Sequence, residues 1–296
     1  MVLRKIESRI PTRYVFNGAV ALFLLGTAAL AVRHMLTTYS EPPCGERYAN
    51  TMLFSWQRPT GEPLTGADLQ AKLDGRDWGL LDNVRFVKVE DGPAPVVLEV
   101  DLEKSGPRAS GRDSRGGMGF RWLPSQIKQA SAACLAYSVW LPRDFEFANG
   151  GSLPGLYGGG QEAERPPAAG KPAPAFSTRP AWREDAKADV QAATIQAPEG
   201  QSIGIDSTWF RLRPGRWVRL EQEIVLNRPG ARDGILRIWI DGELKLERTK
   251  LAYRDKAEQT FRGVIADAHY GRADQAASVV GKGAKIRLSP FELRWR

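Results

Sequence analysis

WVRLEQEIVLNRPGARDGILRIWIDGELKL, residues 217–246, decides the fold class. Val218, Leu220, Gln222, Ile224 and Leu226 alternate with Arg219, Glu221 and Glu223, which predicts a strand with one face on a core and one face wet. Residues 235–240 and 243–246 flank Asp241-Gly242, a pair that readily adopts the positive φ angles of a type I′ turn, so a hairpin is expected there. Further out, residues 96–100 form a β-branched run, and Leu135, Tyr137, Val139 and Leu141 alternate with smaller or more polar partners. Ile286, Leu288, Phe291, Leu293 and Trp295 supply a last strand. The one helix signal in this part is the capping-box pattern at Thr65-Gly66-Ala67-Asp68, running through Leu73 and stopping at Gly75. Many antiparallel strands with few helices predict an all-β fold, a jelly-roll (concanavalin-like) sandwich over residues 54–296. Residues 155–174 are rich in Gly, Pro and Ala without a period and are expected to be a long surface loop.

Ahead of the sandwich, an uncharged apolar run from Tyr14 to Val32 is long enough to cross a bilayer core at roughly 1.5 Å per residue. Arg4, Lys5, Arg9 and Arg13 precede it, so residues 1–13 are expected to be cytoplasmic, 14–33 a transmembrane signal-anchor and 34–53 a linker. Ala29-Leu30-Ala31 also resembles a cleavage site of a signal peptide. Both readings place the sandwich in the periplasm or outside the cell.

The formal net charge is +8, and half of it sits in residues 1–33. The remainder mixes both signs, which suits a polyanionic ligand but not a nucleic-acid stripe. Nine tryptophans are expected mainly in the core, the rest being available to stack on sugars. Cys44 and Cys134 belong to no CxxC pair. They could join as one disulfide in an exported domain, or Cys134 could be a small buried apolar residue. The sequence has no GxSxG elbow, Walker loop or HExxH motif. With His34 and His269 as the only histidines, no metal or other cofactor is expected.

A distinctive block remains. CLAYSVWLPRDFEF at 134–147 runs into GGSLPGLYGG at 150–159, followed by Phe176-Ser177-Thr178-Arg179, Trp182-Arg183 and Gly215-Arg216-Trp217. Gln222, Asn227, Asp233-Gly234 and Trp239 complete it. This block resembles the polysaccharide lyase family 14 domain of alginate and glucuronate-polymer lyases, over roughly residues 54–295. The resemblance implies β-elimination at a uronate. In that reaction donors neutralise the sugar carboxylate, a base removes the α-proton, and an acid protonates the departing oxygen. It implies that Ser177 and Arg179, with Arg183 and Ser152, lie at the substrate. Residues 177 and 179 share a face if the segment is extended, and the planar fork of an arginine grips a carboxylate.

The chain departs from the family pattern where the chemistry is carried. Ser152 stands in place of the motif lysine, and the positions of a tyrosine pair fall near Gln191 and Ala193. His269, Tyr270 and Tyr157 are the candidates for a substitute acid/base, since a histidine titrates near neutral pH. Three readings follow. The chain is a membrane-anchored lyase on an acidic polysaccharide, a catalytically silent glycan-binding relative, or a scaffold whose sandwich serves a protein partner.

Overall fold

The computed structural model of this chain describes residues 20, 22–30, 41–73, 77–102, 116–160, 175–195, 197–203, 211–271 and 285–296. It divides into two units, Met1–Glu41 and Pro42–Arg296. In the first, residues 22–30 are helical, with Leu22, Phe23, Leu24, Leu25 and Leu30 exposed. Among the described residues no helix is long and apolar enough to cross a membrane. Half of the expected anchor at 14–33 lies outside the described residues.

The second unit is a sandwich of two antiparallel sheets. Its strands are β1 (Asn50–Phe54), β2 (Val84–Lys88), β3 (Val96–Asp101), β4 (Arg121–Trp122), β5 (Ala132–Trp140), β6 (Gly151–Ser152), β7 (Gly155–Gly159), β8 (Ala175–Trp182) and β9 (Ala188–Thr194). They continue as β10 (Ala197–Ile203), β11 (Trp217–Val225), β12 (Gly234–Ile240), β13 (Glu243–Leu251), β14 (Thr260–Ile265), β15 (His269–Tyr270), β16 (Lys285–Leu288) and β17 (Phe291–Trp295). The nine-stranded sheet runs β13-β12-β11-β5-β16-β3-β2, with β17 joining β5 to β1. The eight-stranded sheet runs β10-β9-β8-β7-β14-β4, with β6 linking β8 to β15.

The sequence pattern explains these elements. Asp241 and Gly242 take φ of 50° and 82°, so β12 and β13 form the expected hairpin. Thr65 caps the short helix Gly66–Ala71 through a reciprocal bond with Asp68. Between the sheets, Trp56, Phe120, Tyr137, Phe176, Trp182, Phe261 and Phe291 are buried in one core. Trp239 is fully buried as well, but Trp78, Trp122, Trp140, Trp217 and Trp295 keep partial exposure. Trp122 and Trp295 nevertheless pack against the core, so most of the described tryptophans serve it as expected. The expected loop at 155–174 begins instead as a strand, β7, while residues 161–174 lie outside the described residues.

The linker expected over 34–53 is also corrected at its far end. The helix Cys44–Arg47 and Tyr48 lie on the outer face of the nine-stranded sheet. Cys44 is disulfide-bonded to Cys134 of β5, with 5.8 Å between the Cα atoms. Cys44, Tyr48, Ala132, Cys134 and Trp239 form a second buried cluster there. Glu221 accepts from the Gly45 amide at 3.0 Å, and Glu223 from Arg47 at 2.6 Å, Arg237 at 2.9 Å and the Tyr48 hydroxyl. The β11 face expected to be wet is thus covered by residues 44–48.

Three tyrosines give the sandwich an alkaline limit. Burial raises the phenol of Tyr48, helped by Glu223, and burial likewise raises Tyr137 and Tyr253. A folded state that keeps these protons opposes an unfolded chain that releases them near its ordinary pKa of about 10. Stability is therefore complete below about pH 10 and falls above it, with a slope approaching ~4 kcal/mol per pH unit for three protons. Urea titrations between neutral pH and strong alkali should show this loss, and a flat profile would contradict it.

Candidate functional site

The period of two along β8 sends Phe176, Thr178 and Trp182 into the core and turns Ser177, Arg179 and Ala181 to the outer face of the eight-stranded sheet. On β9, Ala188, Val190 and Ala192 point inward while Asp189, Gln191 and Ala193 share the outer face. Register then assembles the site. Arg179 pairs with Gln191, Ser177 with both Ala193 and Tyr157, and Ser152 with both Ala181 and His269. The glycines of the LPGLYGG stretch permit this packing. A Cβ on Gly155 would stand 1.9 Å from the Thr178 carbonyl, and one on Gly158 would stand 2.3 Å from the Phe176 ring. Gln222 holds the same Thr178 carbonyl from the opposing sheet at 2.8 Å.

The charge on this face is concentrated at three side chains. Asp267 accepts from Arg179 at 3.2 Å through one oxygen and from Arg121 at 3.3 Å through the other. The Arg121 guanidinium also lies 5.3 Å over the Tyr157 ring. Gly119 leaves room for this arrangement, since a Cβ there would stand 2.6 Å from Asp267 Oδ1 and 2.0 Å from Trp78 Nε1. Trp78 in turn packs on the His269 ring at 5.9 Å between centroids. Burial lowers the Arg179 guanidinium from its ordinary value. Asp267 opposes that shift and Arg121 adds to it. It remains a cation at neutral pH.

Ser152 is fully buried and its hydroxyl donates to Gln191 Oε1 at 3.1 Å. Arg179 Nε and Gln191 Nε2, on directly opposed residues, are buried without a hydrogen-bond partner. Unmet donors of this kind are rare in folded proteins and suit an incoming acceptor.

The sequence-derived candidates divide by face. Ser152, Tyr157, Ser177, Arg179 and His269 come together. Tyr270 does not, because neighbours on a strand point opposite ways. It is buried, its hydroxyl donates to the Glu146 carbonyl at 2.6 Å, and its ring stacks on Phe145. That environment makes it a core residue in place of the expected acid/base. Arg183 sits beyond the end of β8, paired with buried Asp189 at 2.9 Å. Arg121, Asp267 and Trp78 were not singled out from the sequence. They belong to no motif, and only strand pairing brings them to Arg179. Among the described residues the one group of metal-ligating side chains is Cys44, Cys134 and Glu221, whose sulfurs are consumed by the disulfide.

The face can grip an anionic oxygen pair, with Tyr157 and His269 as its titratable neighbours. It offers no lysine at 152 and no phenol at 191 or 193.

Comparison with known proteins agrees with the fold. Among solved structures, the marine PL-14 alginate lyase from Aplysia kurodai superposes with a TM-score of 0.63 at 22% identity, over 84% of this chain and 99% of that one. The alginate lyase from Chlorella virus gives 0.57 at 20% identity, over 72% and 89%. The endo-β-1,4-glucuronan lyase from the fungus Trichoderma reesei gives 0.55 at 11% identity, over 84% and 96%. Comparison with curated protein sequences yields no significant match. The family model described as Polysaccharide lyase 14 matches residues 93–279, a span that runs from β3 past β15 and takes in Arg121, Arg179 and Asp267, and the chain belongs to that family.

Proposed function

We propose that the outer face of the eight-stranded sheet binds an acidic, uronate-containing polysaccharide and does not cleave it efficiently. The carrying observation is the pairing on one face of a carboxylate grip with lost proton-transfer groups. Arg179 stands where the family resemblance places it, with Arg121 beside it, whereas Ser152, Gln191 and Ala193 occupy the places where that resemblance expects a lysine and two tyrosines. Serine and glutamine do not exchange protons usefully near neutral pH. Alginate and glucuronan, named for the structural neighbours, indicate the ligand class.

The test is an ultraviolet assay of the purified protein on alginate, polymannuronate, polyglucuronate and a neutral glucan, run beside equilibrium binding to the same polymers. β-Elimination would create a conjugated C4=C5 double bond. The expected result is a flat absorbance trace with measurable affinity for a uronan. Arg179→Ala should weaken that affinity at least tenfold, the loss of one charge-assisted contact of about 1.5–3 kcal/mol. Affinity unchanged by Arg179→Ala, or equal for the neutral glucan, would defeat the reading.

A lyase with a different acid/base is the second reading, favoured by Tyr157 and His269 standing on the same face as Arg179. It requires absorbance growth that His269→Ala or Tyr157→Phe abolishes.

The same proposal places the sandwich outside the cytoplasm, tethered by residues 14–33. The apolar run with its basic flank supports the tether. The Cys44–Cys134 bridge supports an oxidising compartment, since such bonds are rare where thiols are kept reduced.

A further inference from the structure

The guanidinium groups on the site face are not empty-handed, because the protein supplies its own carboxylate to both. Asp267 is held by backbone pairing on either side. Ala266 donates to the Phe120 carbonyl at 3.0 Å, and Ala268 exchanges two bonds of 2.9 Å with Met118. The carboxylate is therefore a fixture of the fold. Its contacts of 3.2 and 3.3 Å are nevertheless longer than the 2.7–2.9 Å usual for charged N–H···O bonds. Each arginine spends one Nη on it, and the Arg179 Nε edge stays buried and unpartnered. A grip built to hold Asp267 for stability alone would close that edge too. The arrangement instead leaves Arg179 with an unused donor beside an acceptor held at long range.

Resting on the uronan-binding reading, we propose that Asp267 is the selectivity-determining residue of this face. It is a resident carboxylate that competes with the polymer's own carboxylate for Arg179 and Arg121. The site carries two guanidinium charges against one carboxylate, so a uronate meets one excess positive charge rather than two. Affinity for a uronan is held down accordingly, and only a ligand carboxylate that displaces Asp267 from Arg179 is retained. Neutral sugars gain nothing from the removal of Asp267, which separates this role from a general loosening of the face.

Asp267→Asn keeps the shape and one acceptor while removing the competing charge. The expected result is binding to polymannuronate or polyglucuronate at least tenfold tighter than wild type. That affinity should fall more steeply with salt and be unaccompanied by any gain for a neutral glucan. Two arginines left without their carboxylate could destabilise the fold, so the same comparison is made in an Arg121→Gln background, where the charge balance is restored. There, adding Asp267→Asn should again tighten uronan binding at least tenfold relative to Arg121→Gln alone. If wild type binds a uronan and Asp267→Asn binds it equally or more weakly in both backgrounds, Asp267 merely orients the arginines. The selectivity role then falls while the uronan reading stands. If neither wild type nor any variant binds a uronan, the uronan reading fails and takes this inference with it.

Discussion

Replacing Cys44 and Cys134 by serine, or reducing their bridge, is expected to lower the stability of the sandwich by about 4.5 kcal/mol. The two cysteines are 90 residues apart in sequence. A link across so long a stretch removes many conformations from the unfolded chain, and loop-closure entropy gives that magnitude at room temperature. The native state loses little else, because Cys44 and Cys134 stay buried beside Ala132, Tyr48 and Trp239. For a domain of this size the midpoint of thermal unfolding should drop by ~10 °C. Calorimetry with and without reductant measures it directly. A shift below ~2 °C would mean that residues 44–48 are held by their ion pairs alone.

Those ion pairs carry the second large effect. Glu223→Ala is expected to cost about 3–5 kcal/mol, the range for removing one member of a buried charged group. The Glu223 carboxylate has no exposed surface and accepts from Arg47, Arg237 and the Tyr48 hydroxyl. Without it Arg47 and Tyr48 lose a buried partner, while Arg237 retains Glu247 at 2.5 Å. Glu223→Gln should cost less, since an amide oxygen still accepts. Denaturant unfolding of the two variants separates charge from hydrogen bonding, and equal losses would show that the charge, which neither variant carries, accounts for the whole effect.

The fold was legible in the sequence because one-sided burial writes itself as alternation. Val218 to Leu226 read correctly as a strand, and Asp241-Gly242 as its hairpin turn, from local chemistry alone. Burial of Glu221 and Glu223 was not legible, because their cover comes from residues more than a hundred positions earlier. Period two placed Ser177 and Arg179 on one face, and β8 has them there. Gln191 and Ala193 proved to be their cross-strand partners. Tyr270 was named with His269 from one short segment, yet a strand sends the two neighbours onto opposite faces and Tyr270 is buried. Asp267 sits in Ala-Asp-Ala, a setting with no signal. Its importance depends on the register of β14 and β4 and on the bare Cα of Gly119. Pairing between Cys44 and Cys134 likewise depended on a docking that spacing does not encode.

That docking has a mechanical consequence. A pull on the chain ahead of residue 44 does not first peel the edge strand β1 from β17. The load passes through the sulfur bridge to Cys134, within the nine-residue strand β5, which is paired along both edges by β11, β16 and β17. Tension delivered there must shear several strands at once instead of unzipping one. The sandwich therefore meets a load applied ahead of Cys44 at a strand held on both sides and not at its edge.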